Sequence, residues 1–319
     1  MRVTNNTNQT DIVLRHVDRI NNGSHKELEG NEFSVTQLLK DATAVILGIR
    51  HRNEITLDVQ ALGSRTRGTD QHQALEEDAK SLGYMVEMEL SHHFKLADIA
   101  FKMYGKLDFY RTSDSRLIDY KTCKEATFKK NMSGEDDEWK RQLTLYVALL
   151  ELINPSWYFG VDEMIIQAEL FDVATVANDL KGESTDSYRT IFFTPPTKEE
   201  IAQELAKAFD KVREVIQLSK VPDKDLPICS EKYRYATSTW KIYKGTKDKH
   251  QAKAERGHAK YESYEDASIG FAKAGFTDKD HVIEAVGGES LKCKYFCDVR
   301  EFCPHYKKMK EAMNETVEG

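Results

Sequence analysis

Three short runs in which apolar and polar residues alternate, set between two helical patterns, constrain the fold of this chain most strongly. The runs are YMVEMELSHHF, IAFKMYGKLDFY and RLIDYKT, and polar turns separate them. Such alternation indicates strands with one buried face. TDQHQALEEDAKSLG before them and DEWKRQLTLYVALLELI after them follow a helical period. The order helix, three strands, helix predicts an α/β core.

The rest of the chain suggests how this core is extended. Two more candidate strands, DEMIIQAELFDV and YRTIFFT, precede a long amphipathic helix, in which Thr197 and Glu200 have the spacing of a capping box. Beyond Lys220 the sequence becomes punctuated by proline. We therefore predict a flexible N-terminal extension over residues 1–30, an α/β core over 31–220 and a C-terminal, cysteine-bearing part over 221–319.

Composition excludes some classes of protein. The chain has 319 residues, of which 40% are hydrophobic and 31% charged, and no run approaches the roughly 18 to 20 apolar residues that span a bilayer. The first residues lack the apolar core of a signal peptide. We expect a protein of the bacterial cytoplasm or the interior of a phage-infected cell, with no membrane partner.

Charge gives a weaker indication. The net charge of −7 argues against nonspecific coating of nucleic acid but does not exclude a local binding groove. Seven Lys or Arg residues lie between Trp240 and Lys260. On charge alone, this stretch favours a solvated face over a phosphate-binding strip.

An acidic hairpin is the strongest candidate for chemistry. If strands 101–110 and 116–122 pair around a turn at Ser113 and Asp114, opposed residue numbers sum to 227, and Asp108 lies opposite Asp119. Opposed side chains have Cβ atoms about 4.5 to 5.5 Å apart, so two like charges there destabilise the sheet unless something neutralises them.

A divalent cation would neutralise this pair. Mg²⁺ and Mn²⁺ prefer carboxylate oxygens, and Lys121 is on the same strand face as Asp119, where it would orient a water or stabilise charge on a phosphate. The alternative is that these residues form a solvated sheet face. Cys123, two residues beyond Lys121, has no part in this scheme, and we predict a free thiol there.

Four motifs in order resemble those of the RecB-like branch of the PD-(D/E)xK nucleases. Gly68 and His72 match its G-x-x-x-H pattern, and Gly105 and Asp108 match G-x-x-D. The D-x-K core is matched by Asp119, Tyr120 and Lys121, and the trailing Q-x-x-x-Y by Gln142 and Tyr146. The resemblance covers about residues 34 to 155.

The resemblance implies a restriction-endonuclease-like core, with a central mixed β-sheet flanked by helices, that cuts DNA with Mg²⁺ or Mn²⁺. It implies His72 and the backbone carbonyl of Tyr120 as further metal ligands. Gln142 and Tyr146 lie four residues apart and share a helix face, where they could contact a phosphate or a stacked base. For Tyr146, core packing is the alternative.

The C-terminal cysteines suggest a second metal centre. Cys293, Cys297 and Cys303 have the spacing C-x3-C-x5-C, and Cys229 is the best fourth ligand. Four thiolates fit a [4Fe-4S] cluster or tetrahedral zinc. The pattern is similar to the iron-sulfur motifs of AddB-type, CRISPR-adaptation and phage-encoded RecB-like nucleases, although its spacing differs and Cys229 lies downstream of the core.

These features favour a metal-dependent DNA nuclease, an exonuclease acting on single strands or duplex ends in recombination, repair or phage DNA metabolism. Recombination or replication proteins are possible partners. Two alternatives remain. One is a catalytically silent nuclease-fold module that binds DNA or protein, and the other is an interaction protein stabilised by zinc.

Overall fold

The computed structural model of the chain describes residues 2–22, 31–97, 99–182, 184–234, 239–244, 261, 264–277, 281–286 and 290–315. The chain divides into two units, Met1–Lys220 and Val221–Gly319. Most of the predicted basic stretch, residues 245–260, lies outside the described residues.

A mixed sheet of six described strands forms the centre of the first unit, in the order β2-β5-β6-β7-β8 with β4 paired to β5. The strands of this unit are β1 (Arg2–Thr4), β2 (Glu32–Ser34), β3 (Thr56–Asp58), β4 (Met85–Leu96), β5 (Ile99–Arg111), β6 (Arg116–Cys123), β7 (Glu163–Leu170) and β8 (Tyr188–Phe193). β2 runs parallel to β5 and β6 to β7, whereas the other pairs in this sheet are antiparallel.

Helices cover both faces of this sheet. They are α1 (Asp11–Asn22), α2 (Val35–Leu38), α3 (Ala42–Arg50), α4 (Gly63–Ser81), α5 (Glu125–Ser133), α6 (Glu138–Ile153), α7 (Thr175–Lys181) and α8 (Lys198–Leu218). α6 packs against β4, β5 and α8, whereas α4 packs against β4 and β6. The predicted α/β class, with a central mixed sheet flanked by helices, is confirmed.

The order of side chains along β6 explains why α4 and α6 pack against different faces of the sheet. Successive side chains of a strand point to opposite faces of the sheet. The side chain of Lys121 bonds to Gln142 on α6, whereas the ring of Tyr120 lies edge-on to the ring of His72 on α4, with ring centroids 5.4 Å apart. α6 and α4 therefore meet β6 from opposite sides.

β5 has an interruption along one edge. Its pairing with β4 runs from Ile99 to Tyr110 and takes up the other edge. On the remaining edge β2 pairs with residues 102–104 and β6 with residues 109–111. Residues 105–108 therefore face a gap between two strands, and the G-x-x-D motif spans this gap.

Local capping signals decide where two helices begin. Thr197 accepts a hydrogen bond from the Glu200 amide at 3.2 Å, and Glu200 accepts one from the Thr197 amide at 2.8 Å. This is the capping box that the sequence predicts for α8. Ser34 caps α2 in the same manner, with Gln37 as its partner.

The N-terminal residues differ from the flexible extension that their composition predicts. β1 pairs in parallel with β3, and α1 contributes Val17 to an apolar cluster with Val59 and Leu62. The alternation of Val13, Leu14 and Val17 with polar residues is the amphipathic signal that the Asn-rich start of the chain obscures. Residues 23–30 lie outside the described part of the chain.

The second unit contains α9 (Glu231–Arg234), β9 (Thr239–Lys244), α10 (Tyr264–Lys273), β10 (His281–Val286) and α11 (Pro304–Glu315). β9 and β10 form an antiparallel pair. A π-helical turn covers Lys292–Phe296. Among the described helices of both units, none is long and apolar enough to cross a membrane.

Candidate active site and metal centre

In the gap beside β5, a side chain takes the place of a backbone hydrogen bond between strands. Phe109↔Ile118, Tyr110↔Leu117 and Arg111↔Arg116 are paired, which confirms the predicted register and sets Asp108 opposite Asp119. The ladder does not continue to that pair. Instead the Oδ2 atom of Asp108 accepts a hydrogen bond from the Tyr120 amide at 2.8 Å. The carboxylate of Asp108 is thereby fixed where the two strands part.

Asp119 is buried, with only 3% of its surface exposed. Its Oδ1 accepts a hydrogen bond from Gln142 Nε2 at 3.3 Å. Its Oδ2 lies 2.7 Å from Lys121 Nζ and forms an ion pair with that ammonium. The charge of Lys121 therefore compensates the charge of this buried carboxylate.

Lys121 is held as a cation between two acceptors. Besides the contact with Asp119, its ammonium donates to Gln142 Oε1 at 3.0 Å. Burial acts to lower the pKa of Lys121, but the charge of Asp119 and its contact with Lys121 outweigh burial and raise the pKa. A fixed positive charge therefore lies beside the paired carboxylates.

His72 reaches the carboxylates from α4. Its Nε2 lies 3.1 Å from the Tyr120 carbonyl oxygen, and its Nδ1 lies 3.6 Å from Asp108 Oδ1. Burial lowers the pKa of His72, and the charge of Asp119 only partly opposes this. A neutral imidazole is the form that binds metals. His72, the Tyr120 carbonyl and Asp108 are therefore close enough to be ligands that would hold one divalent cation.

Glu87 is a site residue that the sequence analysis missed. Val86↔Phe109 and Met88↔Leu107 are paired across β4 and β5, so Glu87 lies opposite Asp108. Its φ of 52° is in the left-handed region, which is strained for a residue with a side chain. Ligand atoms of His72, Glu87 and Asp108 lie within 4.8 Å of one another, the only such metal-type group among the described residues. Lys106 forms an ion pair with Glu87.

The carboxylates repel each other. Burial, and then the charge of Asp119, raise the pKa of Asp108 to about 8. As long as no cation is bound, Asp108 therefore keeps its proton to a higher pH than an exposed aspartate does. The donor set of carboxylate oxygens and one imidazole suits Mg²⁺ or Mn²⁺. A cation there would compete directly with the proton on Asp108.

Gln142 and Tyr146 lie behind the charged residues and not on an open surface. Both are buried, at 6% and 3% exposure. Gln142 Nε2 donates to the Tyr146 hydroxyl at 3.0 Å, in addition to its bonds with Asp119 and Lys121. The core-packing alternative thus describes Tyr146 better than base stacking. Together the two residues position Asp119 and Lys121.

Gly105 is required by the packing of Tyr146. A Cβ atom at this position would lie 2.6 Å from Tyr146 Cε1 and 3.1 Å from Val35 Cγ2. Contacts under 3.0 Å are essentially never tolerated, so any larger residue would displace the ring. The glycine of the G-x-x-D motif therefore lets α6 approach β5 beside the gap.

The four predicted cysteine ligands all lie in the second unit, and none is in a disulfide. Arg234 Nε donates to the Cys229 carbonyl at 2.8 Å, and its Nη1 donates to Ser290 Oγ at 2.7 Å. The segment of Cys229 is thereby tied to the turn that contains Cys293. Burial, and then the charge of Cys303, raise the pKa of Cys293.

The cysteine cluster stays a prediction, since within the described residues no three cysteine sulfurs lie within 4.8 Å of one another. Cys123 is buried in the first unit at the end of β6. Burial, and then the charge of Asp172, raise the pKa of its thiol to about 11. It forms no disulfide, and its thiol is unreactive at neutral pH.

No protein-family model matches the chain, and no curated protein matches it. Solved structures are similar at low identity. SSO0001 is 18% identical over 67% of this chain and 90% of that chain, with a TM-score of 0.47. A phage-related exonuclease from Haemophilus somnus 129PT is 15% identical over 66% of this chain and 84% of that chain, with a TM-score of 0.28. Both TM-scores lie below 0.5, so neither similarity indicates what this chain does.

Asp108→Asn should stabilise the metal-free protein at alkaline pH. The pKa of Asp108 is near 8 when folded and 3.8 by the reference value for an exposed group, so its favourable contribution is complete below pH 4 and is lost as the pH rises through 8. The gain in free energy of unfolding should therefore grow from pH 5 to pH 9 and reach at least about 1 kcal/mol, the value of one pKa unit.

Urea unfolding of the metal-free protein at a series of pH values measures this gain. Asp210→Asn, at an exposed carboxylate of α8, is the matched control and should show no such growth. If Asp108→Asn instead loses stability relative to the native chain as the pH rises, the carboxylate is ionised and stabilising, and the assignment of its pKa is wrong.

Gly105→Ala should destabilise the first unit by about 1 to 3 kcal/mol, the usual cost of overpacking, because the new methyl group overlaps the ring of Tyr146. Tyr146→Leu in the same chain should recover part of that loss, which a double-mutant cycle of unfolding free energies measures. Gly63→Ala, where a Cβ meets no atom within 4 Å, is the control. Strictly additive effects of Gly105→Ala and Tyr146→Leu would contradict the proposed overlap.

Proposed function

We propose that the chain is a metal-dependent DNA nuclease that hydrolyses phosphodiester bonds. The observation that supports this most is the convergence of Asp108, Asp119 and a charged Lys121 at the gap along β5 between β2 and β6. Two opposed carboxylates destabilise a purely structural sheet, because like charges repel and the one ammonium beside them, that of Lys121, forms an ion pair with Asp119. A divalent cation bound there would stabilise both carboxylates.

The proposed ligands of Mg²⁺ or Mn²⁺ are His72, Asp108, Asp119 and the Tyr120 carbonyl, with Glu87 added by its position beside Asp108. A divalent cation bound there supplies a Lewis acid to the phosphate and lowers the pKa of a bound water. Asp108 is held for this role by the Tyr120 amide, and Asp119 by Gln142.

Lys121 supplies a positive charge where negative charge develops on the phosphate oxygens during attack. Gln142 fixes the direction of this ammonium through the 3.0 Å bond to its Oε1. Tyr146 in turn fixes Gln142. The group is thus oriented before substrate arrives, and no reorganisation is needed at the moment of reaction.

The finer proposal is an exonuclease that acts on single strands or duplex ends in recombination, repair or phage DNA metabolism. It follows from the resemblance of the four motifs to RecB-like nucleases. A catalytically silent module that binds DNA or protein is the alternative that the same experiment tests.

Asp119→Asn and Lys121→Met should each lower DNA cleavage in Mn²⁺ by about 10²-fold or more, the usual loss on removing one preorganised electrostatic group. Glu87→Gln should weaken Mn²⁺ binding about tenfold, or about 1.4 kcal/mol. The substrates are a linear single strand labelled at one end and a circular single strand. Only an endonuclease cuts the circle. Asp210→Asn is the control.

Cleavage that is equal in all these variants and in the native chain would refute the catalytic assignment. Binding of DNA without cleavage, at any divalent cation tested, would favour the silent module. Cleavage of the circle at the rate of the linear strand would exclude an obligate exonuclease.

We also propose that Cys229, Cys293, Cys297 and Cys303 hold a [4Fe-4S] cluster, with zinc as the alternative. Arg234 supports this proposal, because it connects the segment of Cys229 to Ser290, three residues before Cys293. A bound cation would stabilise the thiolates of Cys293 and Cys303, which disfavour each other without it. The expected role is to stabilise the second unit, because phosphodiester hydrolysis needs no redox centre.

Anaerobically purified protein should show an absorption band at about 400 nm, which is typical of iron-sulfur ligation. It should also contain four iron atoms per chain, the number in a [4Fe-4S] cluster. Cys293→Ser should abolish the band, whereas Cys123→Ser should leave it unchanged, since Cys123 lies outside the set. A colourless protein that contains one zinc per chain would establish the alternative. Cluster loss in Cys123→Ser would contradict the assignment of ligands.

A further inference from the structure

β8 is an edge strand of the central sheet, and β7 is its only neighbour among the described strands. An edge strand exposes backbone donors and acceptors to which another strand can pair, and natural proteins usually block such an edge with lysine, proline or a bulge. Residues 188–193 contain neither lysine nor proline, and their pairing with β7 is continuous, without a bulge. This edge is therefore open to a further strand.

The backbone groups exposed at this edge belong to alternate residues. The Leu170 amide donates to the Ser187 carbonyl at 2.7 Å, so Ser187 belongs to a hydrogen-bonded pair of the β7–β8 ladder. Such pairs alternate with pairs whose amides and carbonyls point away from the partner strand. The backbone groups of Tyr188, Thr190 and Phe192 therefore point away from β7. Within the described residues, no hydrogen bond reaches these groups.

The side chains of the same three residues share one face of the sheet. Tyr188 and Phe192 are 60% and 63% exposed, and Thr190 is exposed between them. Arg189 points to the opposite face, where it donates to Glu125 at 3.1 Å. Its charge is thus compensated within the chain, and the exposed face of β8 is aromatic and uncharged.

β8 is complementary to itself in one antiparallel register. A two-fold axis perpendicular to the sheet makes two β8 strands antiparallel and keeps each face on the same side. If opposed residue numbers sum to 380, Thr190 lies opposite Thr190 of the second copy, and each Tyr188 lies opposite a Phe192. Aromatic pairs and threonine pairs are cross-strand contacts that stabilise antiparallel sheets.

The backbone favours the same register independently. Only a sum of 380 brings Tyr188, Thr190 and Phe192 of one copy opposite those of the other, so that every outward-pointing group gains a partner. Three such pairs, with two bonds each, form a ladder of about six hydrogen bonds. A sum of 378 would leave Phe192 out of these pairs and would set Arg189 opposite Arg189.

We propose that the chain forms a two-fold symmetric dimer through β8, in which the mixed sheets of two copies join edge to edge. The interface is isologous, because the same strand contributes both of its sides. A second copy is the occupant that fits, since side chains and backbone select the same self-pairing. The proposal concerns association alone and does not depend on the proposed nuclease function.

Analytical ultracentrifugation of the full chain without DNA tests this proposal. Concentrations from about 1 to about 100 µM cover the affinities of weak and moderate interfaces. Thr190→Lys sets like charges beside each other at the two-fold axis, which opposes pairing. Thr127→Lys, at an exposed position of α5, is the matched control, and urea unfolding checks that both variants are folded.

The native chain should rise with concentration from the 36.6 kDa of one chain towards twice that mass. Thr190→Lys should weaken dimerisation at least tenfold, whereas Thr127→Lys should leave it unchanged.

A mixture of two further variants tests the register. Tyr188→Lys and Phe192→Glu should each dimerise more weakly than the native chain, because each loses both aromatic pairs. An equal mixture should contain more dimer than either variant alone at the same total concentration. In the mixed dimer one Tyr188–Phe192 pair is kept, and the two introduced charges are opposite in sign and directly opposed.

A native chain that is monomeric at about 100 µM would overturn the proposal and would leave this edge to a strand of another protein. A dimer that Thr190→Lys does not weaken would also overturn it, because the interface would then lie elsewhere. A mixture with no more dimer than its components would exclude the proposed pairing of Tyr188 with Phe192.

Discussion

The hydrogen bond from the Tyr120 amide to the side chain of Asp108 is the interaction on which the site depends. β4 occupies one edge of β5, and β2 and β6 share the other, so a short gap is left between them. A backbone donor in that gap has no ladder partner, and buried amides must find one. Asp108 supplies it at 2.8 Å. The geometry of the sheet thereby fixes a carboxylate at the point where two strands part.

That arrangement costs stability, and the surrounding helices limit the cost. Burial of Asp108 near Asp119 raises the pKa of Asp108 to about 8, which shows that the folded chain disfavours the second negative charge. Gln142 on α6 and the ammonium of Lys121 on β6 offset this cost by contacting Asp119. Natural proteins retain such unfavourable groups chiefly at functional sites, and the strained backbone of Glu87 lies in the same place.

The order of the elements and the register that sets Asp108 opposite Asp119 could both be predicted from the sequence. Hydrophobic periodicity determines the first, and the short turn determines the second. Glu87 was not predicted as a site residue, although the constant sum of paired residue numbers identifies its partner in the same way. Opposed residues of β4 and β5 sum to 195, and 87 plus 108 is 195. The burial of Tyr146 and the packing of α1 against Val59 and Leu62 could not be predicted in this way, because each depends on contacts between segments that are distant in sequence.

The two motif glycines have different physical explanations. At Gly105 a side chain would overlap Tyr146, so packing alone requires glycine. At Gly68 a Cβ would meet only Thr122 Oγ1, at an ordinary 3.9 Å. Glycine within a helix costs about 1 kcal/mol relative to alanine, and the packing around Gly68 offers nothing to offset it. Gly68 lies one helical turn before His72, and the packing of the described residues gives no reason for a glycine there. The first glycine of the motifs is therefore not required by the fold, whereas the second is.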